Sequence, residues 1–386
     1  MIIYILFGVS AFSIFFSMIG YPISLRVLNF IFKPKSILKN YNYLPSVTIM
    51  VVAHNEEKVI CDKLKNLISI DYPKDLYKIL VSSDNSDDNT NKIVMKFIAD
   101  NSQYDIKLYN VKERKGKTNA QNEAQKLVKS ELLVLTDANS IFEKSAVKEL
   151  ASCFVSDDIA YVCGKLVYTN GSVSDTANLE SNYWDFELEN RRIESNLQTI
   201  IAGNGAIYAV RNIDYVNVSL IKSHDSELPQ YYAKMNRKAL FNPDSIAYEK
   251  AGETFKDEFK RKIRMRRTAL SSSILKINLL NIFKYKWYSF FYIGHRYSRD
   301  TLWLSHLLLL LTNIFLAFTI KYFLFILIAH ITFYLIALIQ HIFKTKYKLF
   351  NLVYYYLITL IAQYIGVLNQ LLGKSKAFWE KAESTR

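Results

Sequence analysis

The hydrophobic pattern divides this chain into two apolar ends and an alternating middle. Residues 2–23 carry no charge, and about 20 apolar residues cross the roughly 30 Å hydrocarbon core of a bilayer. A secretory signal has a basic start and a shorter apolar core, so the stretch reads as a retained anchor. Lys33, Lys35 and Lys39 follow it and assign that end to the cytoplasm. Three more apolar runs, 301–318, 322–343 and 349–372, occupy the other end. The basic cluster 344–348 fits a cytoplasmic loop, and Lys374 and Lys376 add a second positive flank. Four full spans around a cytosolic middle would put both termini outside. The alternative is one run that is re-entrant or interfacial, and charge counting leaves both open.

In the middle, VTIMVVA (47–53), KILVSS (78–83), DIKLYNV (105–111) and LLVLT (132–136) have strand composition. Residues 56–69, 87–100 and 118–129 between them read as helices. Such alternation predicts a mainly parallel sheet with crossover helices, extended by 159–162 and 205–210 and ending near Tyr248. From 254 to 275, Phe255, Phe259, Ile263, Leu270 and Ile274 alternate with a run of lysines and arginines. This basic amphipathic helix suits an anionic membrane surface; the competing reading is a solvated helix docked on the domain. KYKWYSFFY (284–292) has the composition of an interfacial aromatic belt. The predicted organisation is an anchor (1–32), an α/β domain (46–250), interfacial helices (254–293) and about three membrane segments (299–373).

Composition sharpens this picture. At 51% hydrophobic and 14% aromatic the chain is too apolar for an ordinary soluble enzyme. Its net charge of +14 points to nucleic acid, anionic lipid or phosphorylated substrates, and the spans favour the last two. Cys61, Cys153 and Cys163 have no metal-site or disulfide spacing and read as reduced packing residues. His306, His330 and His341 lie in or beside the apolar runs, where a functional role and helix packing compete.

Neither a P-loop nor a dinucleotide fingerprint is present. Instead, four successive strands end in polar groups: AHNEE (53–57), Asp84 with the following DDNT, KERKGKTNA (112–120), and Asp137. Open α/β sheets bind ligands at that edge. Asp84 is suited to accept from a base or ribose, Asp137 to ligate a divalent cation through oxygen, and Lys115 and Lys117 to approach a phosphate. Each has a structural alternative: Asp87 or Asp88 as a helix cap, Gly116 as a turn, the lysines as solvated charges. Four in register on consecutive strands favour a shared site.

VTIMVVAHNEE, SDNSDDNT, RKGKTNAQN and VLTDANS resemble the nucleotide-sugar half of family-2 glycosyltransferases with the GT-A fold. YWDFELENRRIES (183–195), GNGAIYAVR (203–211), HDSELP (224–229) and EFKRKIR (258–264) are similar to the acceptor half, in the same order. The resemblance covers residues 46–270 and implies a GT-A catalytic domain carried on transmembrane helices. It implies that Asn55, Glu56 and Asp84 line the nucleotide pocket, that Lys117 faces the diphosphate, and that Gly205 and Ala206 lie under the sugar. Asp137 takes the place of the metal-binding DxD motif, with Asn139 as a weaker second ligand for Mg2+ or Mn2+. Asp225 corresponds to the general base, and Arg264 joins the groups that neutralise the leaving diphosphate.

Three departures stand out: an amide at Asn139, His224 where the family's acid pair has its first acid, and no Q-x-x-R-W motif. The implied activity is inverting transfer from a nucleotide-diphosphate sugar, UDP-linked by this reading, to a lipid-linked or membrane-proximal glycan. The implied setting is cell-surface polysaccharide assembly at the inner membrane, with a cytoplasmic catalytic domain, lipid contacts and no nucleic acid. A processive synthase of the hyaluronan or cellulose type is the rival within the class. A non-catalytic membrane scaffold or a transporter is the rival outside it.

Overall fold

A computed structural model describes residues 1–170, 175–252 and 254–378, with side chains of 175–183 outside the description. Tyr183, which opens one of the acceptor-half motifs, therefore lies outside the described side chains. Eight strands among the described residues form one sheet: β1 (Val47–Ala53), β2 (Tyr77–Ser83), β3 (Ile106–Asn110), β4 (Leu132–Asp137), β5 (Ile141–Phe142), β6 (Ile159–Tyr168), β7 (Tyr208–Arg211) and β8 (Lys238–Glu249). Their order is β3-β2-β1-β4-β7-β6-β8-β5. Pairing is parallel from β3 to β4 and again between β6 and β8, while β7 runs antiparallel between β4 and β6.

Strand β1 is buried along its whole length, as its unbroken apolar run requires for a sheet covered on both faces. Val47, Ile49 and Val51 face one layer, made by the helices α3 (Ile60–Leu67) and α4 (Thr90–Asp100), and α6 (Ala146–Ser152) joins it farther along the sheet. Met50 faces the other layer, where α5 (Lys117–Gln125), α7 (Asp175–Leu197) and α8 (His224–Lys234) pack through Ala124, Leu188, Leu228 and Tyr232. The period-2 alternation of side chains thus sorts one strand between two cores.

The expected extension at 205–210 is shorter, at Tyr208–Arg211, and antiparallel. β8 was not expected because Pro243 and Asp244 interrupt its pattern, and proline lacks a ladder donor. The sheet absorbs them at a register shift, where Gly164 pairs with Asn242 and Lys165 with Ile246.

The helix expected over 254–275 is also shorter. α9 (Phe255–Met265) is followed by a π turn at Leu270–Ile274. Its Glu258 is 1% exposed and pairs with Arg261 at 2.8 Å and Lys262 at 3.2 Å, and Arg266 pairs with Asp300. Lys262 lies 4.6 Å from the ring centre of Tyr355 on the last helix. These contacts hold the end of α9 against the C-terminal helices, at Asp300 and Tyr355.

Three short helices follow, α10 (Ile282–Tyr285), α11 (Trp287–Phe291) and α12 (Ser298–Asp300), and then α13 (Leu302–Ala317), α14 (Lys321–Phe343) and α15 (Lys348–Leu371). Among the described residues three helical stretches are long and apolar enough to cross a membrane: Ile2–Phe32, Lys321–Phe343 and Lys348–Leu371. A fourth exists if Trp287–Asp300 and Leu302–Ala317, which meet at a 63° bend, form one broken span. The first stretch comprises α1 (Ile2–Phe15), a π turn and α2 (Tyr21–Phe32) and falls within the expected 1–32 segment.

A buried joint ties this first stretch to the domain. Tyr21 donates to Glu194 of α7, and the ring nitrogens of His295 lie 2.6 Å from Glu194 and 2.7 Å from Glu187. Arg299 also donates to Glu187, so both carboxylates meet cationic or hydroxyl partners, the condition for burying charge. Gly294 lets the Tyr21 ring approach, since a Cβ there would sit 2.0 Å from it.

Gly294→Val is expected to destabilise the protein by about 1–3 kcal/mol through overpacking. Gly8→Val, at a site with nothing within 4 Å, should leave stability unchanged. Thermal unfolding of both variants in detergent checks the pair.

Candidate active site

The register of the sheet gathers the polar strand ends. Ala53 lies opposite Ser83, Ser83 opposite Asn110, and Val52 opposite Asp137. β1 pairs β2 on one side and β4 on the other, so their connections leave in opposite directions and a crevice opens at the C-terminal edge. Antiparallel β7 brings its start to the same place, because Tyr208 pairs with Leu135 near the end of β4. The preceding residues 203–206 therefore arrive beside Asp137.

Past the end of β1, Asn55 has a left-handed φ of 56°, which asparagine tolerates. Its backbone N–H donates to Ser86 Oγ at 3.1 Å, and its side chain exchanges hydrogen bonds with Asp87. Glu56 is buried, and its N–H donates to Thr90 Oγ1 at 2.8 Å. Asp84, 3% exposed, accepts from the N–H groups of Lys115 at 3.1 Å and Gly116 at 2.8 Å. Its carboxylate thus shapes the loop that leads into Lys117. Gly116 has φ +96°, a left-handed value, and a Cβ there would lie 2.6 Å from the Ala377 carbonyl oxygen. The segment after α15 therefore crosses this loop, with Phe378 beneath the Arg114 guanidinium at 4.9 Å.

Lys117 begins α5, and its ammonium pairs with Asp137. Burial disfavours the charge, but Asp137, Asp225 and Glu249 outweigh it and hold Lys117 above its ordinary value. Gly205 faces both partners: a Cβ there would be 2.8 Å from Lys117 Nζ and 3.2 Å from Asp137 Oδ2. Ala206 is buried, and its carbonyl accepts from Thr136 Oγ1 at 2.8 Å.

Asp225 stands in the first turn of α8, where the helix dipole favours a carboxylate. Its carbonyl accepts from Gly203 N–H at 2.8 Å, coupling α8 to the loop beside Asp137. Its carboxylate makes no hydrogen bond among the described residues. His224, by contrast, is 1% exposed and held by Gln121 at 2.8 Å, Asn122 at 2.9 Å and Tyr215 at 2.7 Å. Burial and the nearby Lys117 push its pKa down to about 3, so it stays neutral and fastens α8 to α5. It does not replace the missing acid.

Arg267, three residues past Arg264, is pushed down to about 10 by burial, against the pull of the Asp225 carboxylate. Arg264 supplies its carbonyl to Arg267, which also donates to the Ile221 carbonyl at 2.9 Å. Glu249 reaches the same edge because β8 runs parallel to β6 and ends beside β5, and it accepts from Ser140 Oγ. No motif marks Glu249. Its signal in the sequence is a carboxylate at the end of β8, a strand whose pattern Pro243 and Asp244 interrupt.

Structural comparison finds a mannosyltransferase from Pyrobaculum calidifontis, described in complex with GDP-Man and Mn2+. It aligns with a TM-score of 0.75 at 17% identity over 96% of this chain and 99% of that one, a likeness of fold. By sequence, the chain is 29% identical over 247 residues to a probable glycosyltransferase, YdaM, of Bacillus subtilis. That match covers 59% of this chain and 56% of the relative. A beta-monoglucosyldiacylglycerol synthase of Nostoc is 26% identical over 36% of this chain and 28% of its own length. A poly-beta-1,6-N-acetyl-D-glucosamine synthase of Staphylococcus aureus is 28% identical over 31% of this chain and 27% of its own. The chain thus spans about half, or less, of the curated relatives it matches. The family model described as "Glycosyltransferase like family 2" matches residues 45–268, more than half of the chain. The chain is a glycosyltransferase of family 2 with the GT-A fold.

Proposed function

We propose that the protein transfers a sugar from a nucleotide-diphosphate sugar to a hydroxyl of a lipid-linked or membrane-proximal glycan, inverting the anomeric centre. The observation that carries this reading is the charge array at the crevice. Lys117 pairs with Asp137 beneath Gly205, and the Asp225 carboxylate acts on the same ammonium from α8.

Asp225 accepts the proton of the acceptor hydroxyl as its oxygen forms the new bond to the anomeric carbon. The bond from that carbon to the diphosphate breaks on the opposite face, and the electron pair leaves with the diphosphate. Lys117 and Arg267, with Arg264 in the same turn of chain, supply fixed positive charge for the leaving group. Asn55, Glu56 and the loop shaped by Asp84 hold the nucleoside.

Asp137 and Asn139 offer two oxygen ligands, and among the described residues no trio of His, Cys, Asp or Glu could hold a metal alone. That set suits an ion whose remaining ligands are substrate phosphates and water, as is usual for Mg2+ and available to Mn2+. Bound there, the cation would supply charge to the diphosphate. Asp137 already shares its carboxylate with Lys117, and Asn139 is neutral, so binding should be weak without donor.

The apolar helices and the glycolipid and polysaccharide synthases among the relatives support a membrane-proximal acceptor and an inner-membrane location with a cytoplasmic domain. A processive synthase is the second reading, favoured by the similarity to the poly-N-acetylglucosamine synthase. It predicts polymer from donor alone, whereas single transfer predicts one addition per acceptor.

Asp225→Asn is expected to lower kcat by about 10²–10⁴ with donor binding retained, the usual contribution of a general base. Nucleotide release by the purified protein measures it, and an undiminished rate removes Asp225 from the base role. Chelator should suppress wild-type turnover, with recovery on adding Mn2+ or Mg2+. Turnover unaffected by chelator removes the metal role of Asp137 and Asn139.

A further inference from the structure

Helix α3 carries a lysine where its apolar face should continue. Ile60, Leu64 and Leu67 form the stripe, and Lys63 lies on it, 0% exposed. An ammonium has three donors and no acceptor, so full burial demands oxygen or π partners on every side. Lys63 has them: Thr136 Oγ1 at 3.0 Å, the Ser140 carbonyl at 2.5 Å, and the Phe142 ring with its centre 3.8 Å away. Thr136 immediately precedes Asp137, and Ser140 immediately follows Asn139.

We propose that Lys63 is a positioning residue for the donor site, stapling both ends of the turn that carries Asp137 and Asn139 and tying it to the Gly205–Ala206 loop. The inference rests on the donor-site reading above. The tie to the loop runs through Thr136, whose hydroxyl accepts from Lys63 and donates to the Ala206 carbonyl at 2.8 Å. Asn66, one turn along α3, adds a second anchor: it exchanges two hydrogen bonds of 2.8 Å with the Phe142 backbone. α3 therefore grips the chain on both sides of the turn, at Thr136 and again at 140–142.

A methionine would fill the same volume without the cost of a buried charge. That cost is visible: burial pushes the ammonium down to about 7, although Glu249 and Asp137 work to raise it. What the ammonium provides in return is fixed geometry for three consecutive residues at the crevice. A site that must hold two oxygen ligands and a diphosphate gains from that fixity.

The test uses the full-length protein in detergent, comparing wild type with Lys63→Met and Thr136→Val. Thr136→Val keeps the lysine but removes the hydroxyl link. Both variants should fold, with Lys63→Met melting at or above the wild-type temperature. In both, backbone amides of residues 138–142 should exchange hydrogen at least tenfold faster, while amides of β1 and β2 keep their protection. KM for the nucleotide-sugar donor should rise on the order of tenfold, with a smaller change in kcat.

Unchanged exchange at 138–142 together with an unchanged KM overturns the proposal. Should Lys63→Met not fold, Thr136→Val decides alone: wild-type exchange and KM in that variant overturn it equally. If wild type turns over no nucleotide sugar, the transfer reading fails, and the exchange measurement still decides whether Lys63 holds the turn.

Discussion

Parallel pairing of β2, β1 and β4 in one register is the constraint on which the rest of the site depends. It sets the ends of three buried strands at one edge, so each strand's following residues enter the same crevice. Asp84 follows β2, Asp137 ends β4, and Lys117 arrives from β3, which continues the same parallel pairing beside β2. β7 then delivers Gly205 and Ala206 by running the other way. The antiparallel strand brings the start of its chain, rather than its end, to the edge where the parallel strands finish.

Charge is handled in the same manner throughout the molecule. Several cations and carboxylates that leave water meet partners on other elements, and those contacts hold the elements together. Lys117 joins α5 to β4. Lys63 joins α3 to the turn after β4. Glu187 and Glu194 join α7 to the first apolar stretch and to the segment before α13. Much of the positive charge near α9, which suggests a membrane surface when read along the chain, is engaged in pairs within the protein.

What the sequence made legible follows from how continuous each signal was. β1, β2 and β4 each carry a continuous apolar stretch, and their ends and the acids at them were readable. β8 was not, because Pro243 hides a long strand behind a bulge that only its partner β6 explains. Asp84 stands just past a strand end, as expected, and its carboxylate accepts from the backbone of a loop about 30 residues later, a partner that spacing alone cannot reveal. Arg264 is singled out by similarity of motif; the burial of Arg267 beside the Asp225 carboxylate, one helical turn later, needed the fold to be seen. Lys63 leaves a trace in the sequence, a charge on an apolar helical stripe, but it lies on a helix away from the strand ends that mark the site.

The central claim is that Lys117 and Asp137 together form the diphosphate end of a nucleotide-sugar crevice. Its most direct test is calorimetric titration of nucleoside diphosphates and nucleosides into wild-type protein and Lys117→Ala. The account predicts that wild type binds a diphosphate more tightly than its nucleoside. Lys117→Ala should lose about tenfold or more in affinity for the diphosphate, roughly 1.4 kcal/mol, and little for the nucleoside. Equal loss for both ligands, or no loss for either, would contradict it.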